Sequence, residues 1–122
     1  MFYNAIAVGL GGFLGSICRY LVGLGIQTFS HSQFPWATLL VNVSGCFAIG
    51  VVYSLFGRNS PNTSSLFLFM TTGFLGGFTT FSAFGLETQH LLSSQRSPSA
   101  MLNIVLNVCL GILAVDLGRR VM

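Results

Sequence analysis

Four long apolar runs, joined by connections of at most eight residues, limit what this chain can fold into. The runs extend from about Asn4 to Gln27, from Trp36 to Gly57, from Leu66 to Leu92 and from Ser99 to Arg120. A helix needs about 20 predominantly apolar residues to cross a bilayer. In lipid every backbone N–H and C=O must be satisfied inside the structure, which leaves helices as the economical way to span it. The expected fold is therefore an all-α integral membrane protein of four transmembrane helices. The connections TFSHSQFP, RNSPNTSS and SSQRSPS are polar and too short for a further domain, so residues 1–122 are read as one unit. Pro35 suits the start of the second helix.

Composition points the same way. Charged residues make up 6% of the chain, against roughly a quarter in a soluble domain. There is no lysine, and the +3 formal charge rests on arginine alone. That is too sparse for a nucleic-acid surface. The opening MFYNAIAVGLGGFLG lacks a basic leader and is read as the first membrane helix rather than a cleavable signal. Cys18, Cys46 and Cys109 lie in apolar runs without paired spacing and read as small core residues. His31 and His90 are isolated. No phosphate-binding loop and no nucleophile–base pair is visible, which argues against a primary pump and against an enzyme.

An even number of spans puts both termini on one side. Arg58, Arg119 and Arg120 lie with the termini, Arg96 lies opposite, and Arg19 sits nearer the side of Arg96. This positive-inside bias is weak, and insertion in either orientation stays open. Gly11 and Gly15, and again Gly73 and Gly77, form G-x-x-x-G pairs that let helix backbones approach closely. Four short helices enclose little volume, so a packed homo-oligomer is expected.

Polar groups inside the runs carry the functional signal. Arg19 either snorkels to the interface or stands as a fixed positive charge in a watery vestibule. Asn42, with Thr38 four residues earlier, either joins helices or offers two N–H donors to an anion. Asn103 and Asn107 repeat that pattern in the fourth run. Glu87 either pairs with an arginine or marks the mouth of a pathway, and Asp116 is expected to pair locally with Arg119 or Arg120. The stretch GGFTTFSAF, residues 76–84, sets glycines and hydroxyls in mid-membrane, where they are expected to break the third helix. Carbonyls freed at a break can hold a cation, and the N-terminus of the next half-helix favours an anion. Phe81 and Phe84 either pack with Phe78 as a plain apolar stripe or turn ring edges, which carry positive potential, toward an anion. Phe78 is read as packing.

The segments GGFLGSICRY at 11–20, LLVNVSGCF at 39–47, TTGFLGGFTTFSAFGLE at 71–87 and LGILAVDLG at 110–118 together resemble the Fluc/CrcB family of fluoride ion channels over nearly the whole chain. The resemblance implies an antiparallel, dual-topology homodimer with a broken third helix, two pores, and passive export of fluoride across the cell membrane. It implies a structural Na+ at the dimer centre, held by the backbone carbonyls of Gly76 and Thr79. It assigns Asn42, Phe81, Ser82 and Phe84 to the pore, Arg19 to the vestibule, and Asn103 to a variable pore-lining position. Ala83 departs from the family core, which usually has a hydroxyl there. The implied partners are fluoride, a second copy of the chain and the lipid bilayer, with no nucleic acid.

Two other functions compete with this one. A small proton-coupled multidrug exporter has a similar size but needs a carboxylate in the first helix, where this chain has none. A non-conducting membrane assembly protein would leave Asn42 and Phe81 without a transport role.

Overall fold

The structure, a computed structural model, describes residues 1–57 and 64–121. Among these there is helix and no strand. Four helices are long and apolar enough to cross a membrane: α1 (Phe2–Phe29), α2 (Trp36–Phe56), α3 (Ser65–Ser93) and α4 (Ser97–Arg120). Their limits fall within two residues or so of those read from the apolar runs. The shortest, α2, has 21 residues. At about 1.5 Å per residue that is about 31 Å, enough for a hydrocarbon core of about 30 Å. Arg58 and positions 58–63 of RNSPNTSS lie outside the described residues.

The ends of the spans follow local chemistry. Pro35 is the N-cap of α2, where its missing N–H costs no helical bond. Ser64 caps α3 by accepting a hydrogen bond from the Phe67 N–H. The reversal into α4 uses Gln95 at a positive φ of 58°. The Gln95 N–H bonds the Leu92 carbonyl and the Arg96 N–H bonds the Leu91 carbonyl. This double closure satisfies two carbonyls at the helix end, and glycine is the residue usually found at the left-handed position.

Two spans are not uniform α-helix. α3 runs as α over Ser65–Leu68, as π over Phe69–Leu75 and as α over Gly76–Phe78. Thr79 (φ −81°, ψ 160°) and Thr80 (φ −151°, ψ 118°) are extended, and α-helix resumes over Phe81–Ser93. In α4 a π segment covers Leu106–Leu110. Wide π turns loosen the ordinary i to i+4 bonds. In each π segment a side chain donates to the carbonyl four residues back: Thr71 Oγ1 to Phe67 O, 2.8 Å, and Asn107 Nδ2 to Asn103 O, 2.9 Å.

The glycine pairs set the helix order, and they act within one chain. α1 packs against the N-terminal half of α3, and α2 packs against the C-terminal part of α4. A Cβ at Gly11 would run into Phe69 O, and one at Gly15 into Phe74 O. Reciprocally, a Cβ at Gly73 would meet Val8 O, and one at Gly77 would meet Gly12 O. The two G-x-x-x-G pairs therefore face each other across the α1–α3 crossing. A second crossing, unmarked by any such motif, sets Gly50 against Gly118, with Gly50 facing Val115 O and Gly118 facing Phe47 O. No lipid or side chain fits at these points, so the backbones meet directly.

The core is small. Val41 is 2% exposed and Asn103 is fully buried, while many large apolar residues on the outer faces are open. Those faces suit lipid or another copy of the chain. The expected pairing of Asp116 is observed: Arg120 Nη2 lies 2.8 Å from Asp116 Oδ2 on the exposed end of α4. Arg119 instead lies over the Tyr53 ring, 5.7 Å from its centroid. Cys18, Cys46 and Cys109 are free.

Replacing Gly15 with alanine should destabilise the fold by about 1–3 kcal/mol, the usual cost of overpacking. Gly9, with nothing within 4 Å of an added Cβ, should accept alanine with unchanged or slightly raised stability. Thermal unfolding of the two variants in the same detergent checks the contrast.

Candidate functional site

The unusual chemistry gathers around Thr79 and Thr80. An extended pair inside a span frees backbone groups that lipid cannot satisfy. Side chains from α1 and α2 reach them. Arg19 Nη1 donates to the Thr79 carbonyl at 3.2 Å. Asn42 Oδ1 accepts the Thr80 N–H at 2.8 Å, and Asn42 Nδ2 donates to the Thr80 carbonyl at 3.1 Å. The Thr80 N–H has to bond an acceptor, which fixes the amide of Asn42 with its oxygen toward Thr80. The second N–H of Asn42 goes to Asn107 Oδ1 at 3.0 Å. Both donors of Asn42 are thus engaged within the protein.

The half-helix that follows starts with its own cap. Thr80 Oγ1 accepts from the Ala83 N–H at 3.2 Å, the usual N-cap arrangement. The same hydroxyl lies 3.4 Å from Ser82 Oγ. The N-terminus of this half-helix carries the positive end of its dipole toward Phe81 and Ser82.

Two cavities flank Thr80. The larger, about 520 Å³, is lined by Arg19, Gln27, Thr38, Ser82 and Glu87 together with Thr80 itself. The smaller, about 260 Å³, is lined by Asn42, Cys46, Thr80, Phe81, Phe84 and Asn107. The structure thus brings Asn42, Phe81 and Phe84 to one cavity, and Arg19 and Ser82 to the other. The Phe81 and Phe84 rings lie 5.5 Å apart at an interplanar angle of 49°, a tilted pair. Phe81 is 82% exposed in the single chain. Phe78 turns away and stacks on Phe74 at 6.0 Å, consistent with a packing role.

Glu87 finds a hydroxyl rather than an arginine. Thr38 Oγ1 donates to Glu87 Oε1 at 2.7 Å. Its other oxygen, Oε2, is buried without a hydrogen-bond partner among the described residues. Arg19 and Glu87 line the same cavity. Among the described residues the salt bridge present is the one at Asp116.

Asn103 lines neither cavity. It is fully buried and bonds Thr88 and Asn107. Asn107, one turn later, is the asparagine of α4 that reaches the smaller cavity. Its i, i+4 spacing from Asn103 marks a polar stripe in the sequence, but spacing does not tell which member reaches the cavity. The role of the Thr80 hydroxyl, which caps a half-helix and borders both cavities, had no separate signal in the sequence.

Gly76 and Thr79 border a third cavity, of about 200 Å³, together with Gly45, Thr71 and Leu75. In an uninterrupted helix the Thr80 N–H would bond the Gly76 carbonyl. Here that N–H is given to Asn42. Among the described residues there is no group of three or more His, Cys, Asp or Glu side chains that could hold a metal.

Comparison with known proteins agrees over nearly the full chain. Residues 6–119 match the family described as CrcB-like protein, Camphor Resistance (CrcB). The chain is 45% identical over 119 residues to the fluoride-specific ion channel FluC of Rhizobium johnstonii, covering 98% of this chain and 95% of that protein. It is 42% identical over 116 residues to the protein of that name from Ruminiclostridium cellulolyticum, covering 95% and 89%. With that of Phocaeicola vulgatus the identity is 44% over 115 residues, covering 94% of each.

Replacing Asn42 with leucine keeps the branch at Cγ but leaves the Thr80 N–H and C=O without their partner. Each buried unpaired group costs about 1–3 kcal/mol. Asn42→Leu should therefore unfold well below the parent protein in detergent. Asn42→Asp, which keeps an acceptor for the Thr80 N–H, should fall between them. Thermal unfolding of the three proteins checks the order.

Proposed function

The chain belongs to the CrcB-like family, and from that premise we propose that it is a fluoride-selective channel, exporting fluoride passively across a bacterial cell membrane. The observation that carries this reading is the pair of cavities meeting at Thr80. One has a cationic side chain, Arg19, and the other has Asn42 with the tilted Phe81–Phe84 pair. Fluoride is small and strongly hydrated, so a pathway must replace its water with donors. Ser82, Thr80 and the positive ring edges of Phe81 and Phe84 offer several modest contacts. None is a full charge, which suits conduction because an ion bound too tightly does not leave.

Each residue has a role in this account. Arg19 raises the local concentration of anions in the larger cavity and repels cations. The Thr80 and Ser82 hydroxyls and the half-helix N-terminus lead toward the rings. Asn42 enters as an anion donor only by exchanging one of its two present partners, the Thr80 carbonyl or Asn107. The driving force is the fluoride gradient itself. HF crosses the bilayer, dissociates in the less acidic cytoplasm, and the anion leaves through the channel.

A second copy of the chain belongs to this reading. The outer faces are apolar and open, including Phe81 itself. The weak arginine bias suits insertion in both orientations, and hence an antiparallel homodimer with two pores. A structural Na+ at the centre of that dimer fits the groups present. The Gly76 carbonyl has lost the Thr80 N–H to Asn42, and the Thr79 carbonyl keeps a second lone pair beside its bond from Arg19. Carbonyl oxygens suit a hard cation, and two per chain make half of a site that a partner would complete. When bound, the ion supplies a fixed positive charge that draws the carbonyls of two chains together.

The test is fluoride release from vesicles holding the purified protein, with chloride release measured in parallel. Fast fluoride release with little chloride release supports the reading. No fluoride release, beside an active fluoride channel treated in the same way, sinks it. Phe81→Ile should lower the fluoride rate by about tenfold or more, with the protein still assembled on gel filtration; losing one favourable ring contact of about 1.4 kcal/mol gives that factor. Exchanging Na+ for a large organic cation throughout purification should lower the dimer fraction. An unchanged dimer would remove the ion from the account.

A further inference from the structure

A chain of hydrogen bonds leaves α3 at Thr80 and returns to it at Phe84, and every link donates in the same sense. The Thr80 N–H donates to Asn42 Oδ1 at 2.8 Å. Asn42 Nδ2 donates to Asn107 Oδ1 at 3.0 Å. Asn107 Nδ2 donates to Asn103 Oδ1 at 2.9 Å. Asn103 Nδ2 donates to Thr88 Oγ1 at 3.0 Å. Thr88 Oγ1 donates to the Phe84 carbonyl at 2.7 Å. The circuit passes through α2 and α4 and closes on the half-helix Phe81–Ser93.

We propose that Asn103 and Thr88 are positioning residues, which set the amide of Asn42 and the pitch of the Phe81–Phe84 half-helix from behind without touching the ion. This rests on the channel reading for its functional consequence. Both residues are buried, Asn103 completely and Thr88 to 7% exposure, and neither borders the two cavities at Thr80. Fully satisfied buried polar chains are rigid, because each bond polarises the next and each unpaired member is costly.

The one-way order gives the circuit its consequence. An amide can be turned over, exchanging donor and acceptor. Here the direction is fixed at one end by a backbone N–H, which only donates, and at the other by a backbone carbonyl, which only accepts. Asn42 therefore has one orientation, with Nδ2 toward Asn107. Breaking the circuit at Thr88 frees the Asn103 amide to turn, while the Asn103 carbonyl still holds Asn107 Nδ2. A turned Asn103 sets its own nitrogen against Asn107 Nδ2, and the two facing donors displace Asn107 from its place beside Asn42. The half-helix also loses a tie on the turn that carries Phe84.

The experiment compares Thr88→Val, which matches the shape but cannot donate, with Thr88→Ser, which keeps the hydroxyl. Thr88→Ala serves in its place should valine prevent assembly. Two quantities are read on assembled protein: fluoride release from vesicles, and the side-chain amide resonances of Asn42 by NMR in lipid nanodiscs. The expected result is a shift of the Asn42 resonances beyond their line width in Thr88→Val. Fluoride release should fall about tenfold, the size set by losing one buried hydrogen bond. Thr88→Ser should restore both. Asn42 resonances that do not move overturn the circuit, whatever the rate does. Moved resonances with fluoride release within twofold of the parent overturn the positioning role. Should the parent release no fluoride, the channel reading falls by itself, and the Asn42 resonances alone then uphold or overturn the circuit.

Discussion

Everything distinctive in this chain depends on the hydrogen bonds that hold the Thr80 backbone to Asn42. Two extended residues in the middle of a membrane span would normally be too costly, because lipid offers no partner for a freed N–H or C=O. Asn42 answers both groups of Thr80 with a single amide, and Arg19 answers the Thr79 carbonyl. The span can therefore change direction, expose a half-helix N-terminus and release the Gly76 carbonyl. Each of these creates an electrostatic opportunity that a continuous helix lacks.

Backbone proximity makes that arrangement possible. Asn42 and Arg19 reach α3 only because α1 and α2 lie close to it. Gly11 and Gly15 face Gly73 and Gly77 with backbone against backbone. The Gly50–Gly118 crossing fixes α4 on α2, and α4 brings Asn107 within reach of Asn42. The π segments belong to the same economy of polar groups. In α4, where the wide turn begins, the Asn103 carbonyl accepts from the Asn107 side chain as well as from the Leu106 N–H. Small residues supply the closeness and amides supply the direction.

The four spans and their limits were legible because a bilayer imposes a length and a polarity on any helix that crosses it. The interruption was expected from glycine and threonine in GGFTTFSAF, and Thr79 and Thr80 are the extended residues. Arg19 and Asn42 stand out as polar residues expensive at their depth, Phe81 and Phe84 through the family resemblance, and the structure gathers them around Thr80. Less could be read where the outcome depends on helix rotation. A residue at i and another at i+4 share a face in an α-helix, so Asn103 and Asn107 look alike in sequence. Packing decides that Asn107 meets the cavity while Asn103 is sealed behind it. The partner of Glu87 was equally hidden, since Thr38 lies 49 positions away in the chain. The glycine motifs announced close packing but not that they would be used within one chain.

The central claim is that Asn42, not helix continuity, satisfies the backbone at Thr80. Hydrogen exchange of the Thr80 amide, in the parent protein and in a leucine variant at Asn42, tests it most directly. The account predicts slow exchange at Thr80 in the parent, comparable with helical amides of α3, and a marked rise in the variant while the amides of α1 stay protected. An exchange rate at Thr80 that is fast in the parent, or the same in both proteins, would contradict it.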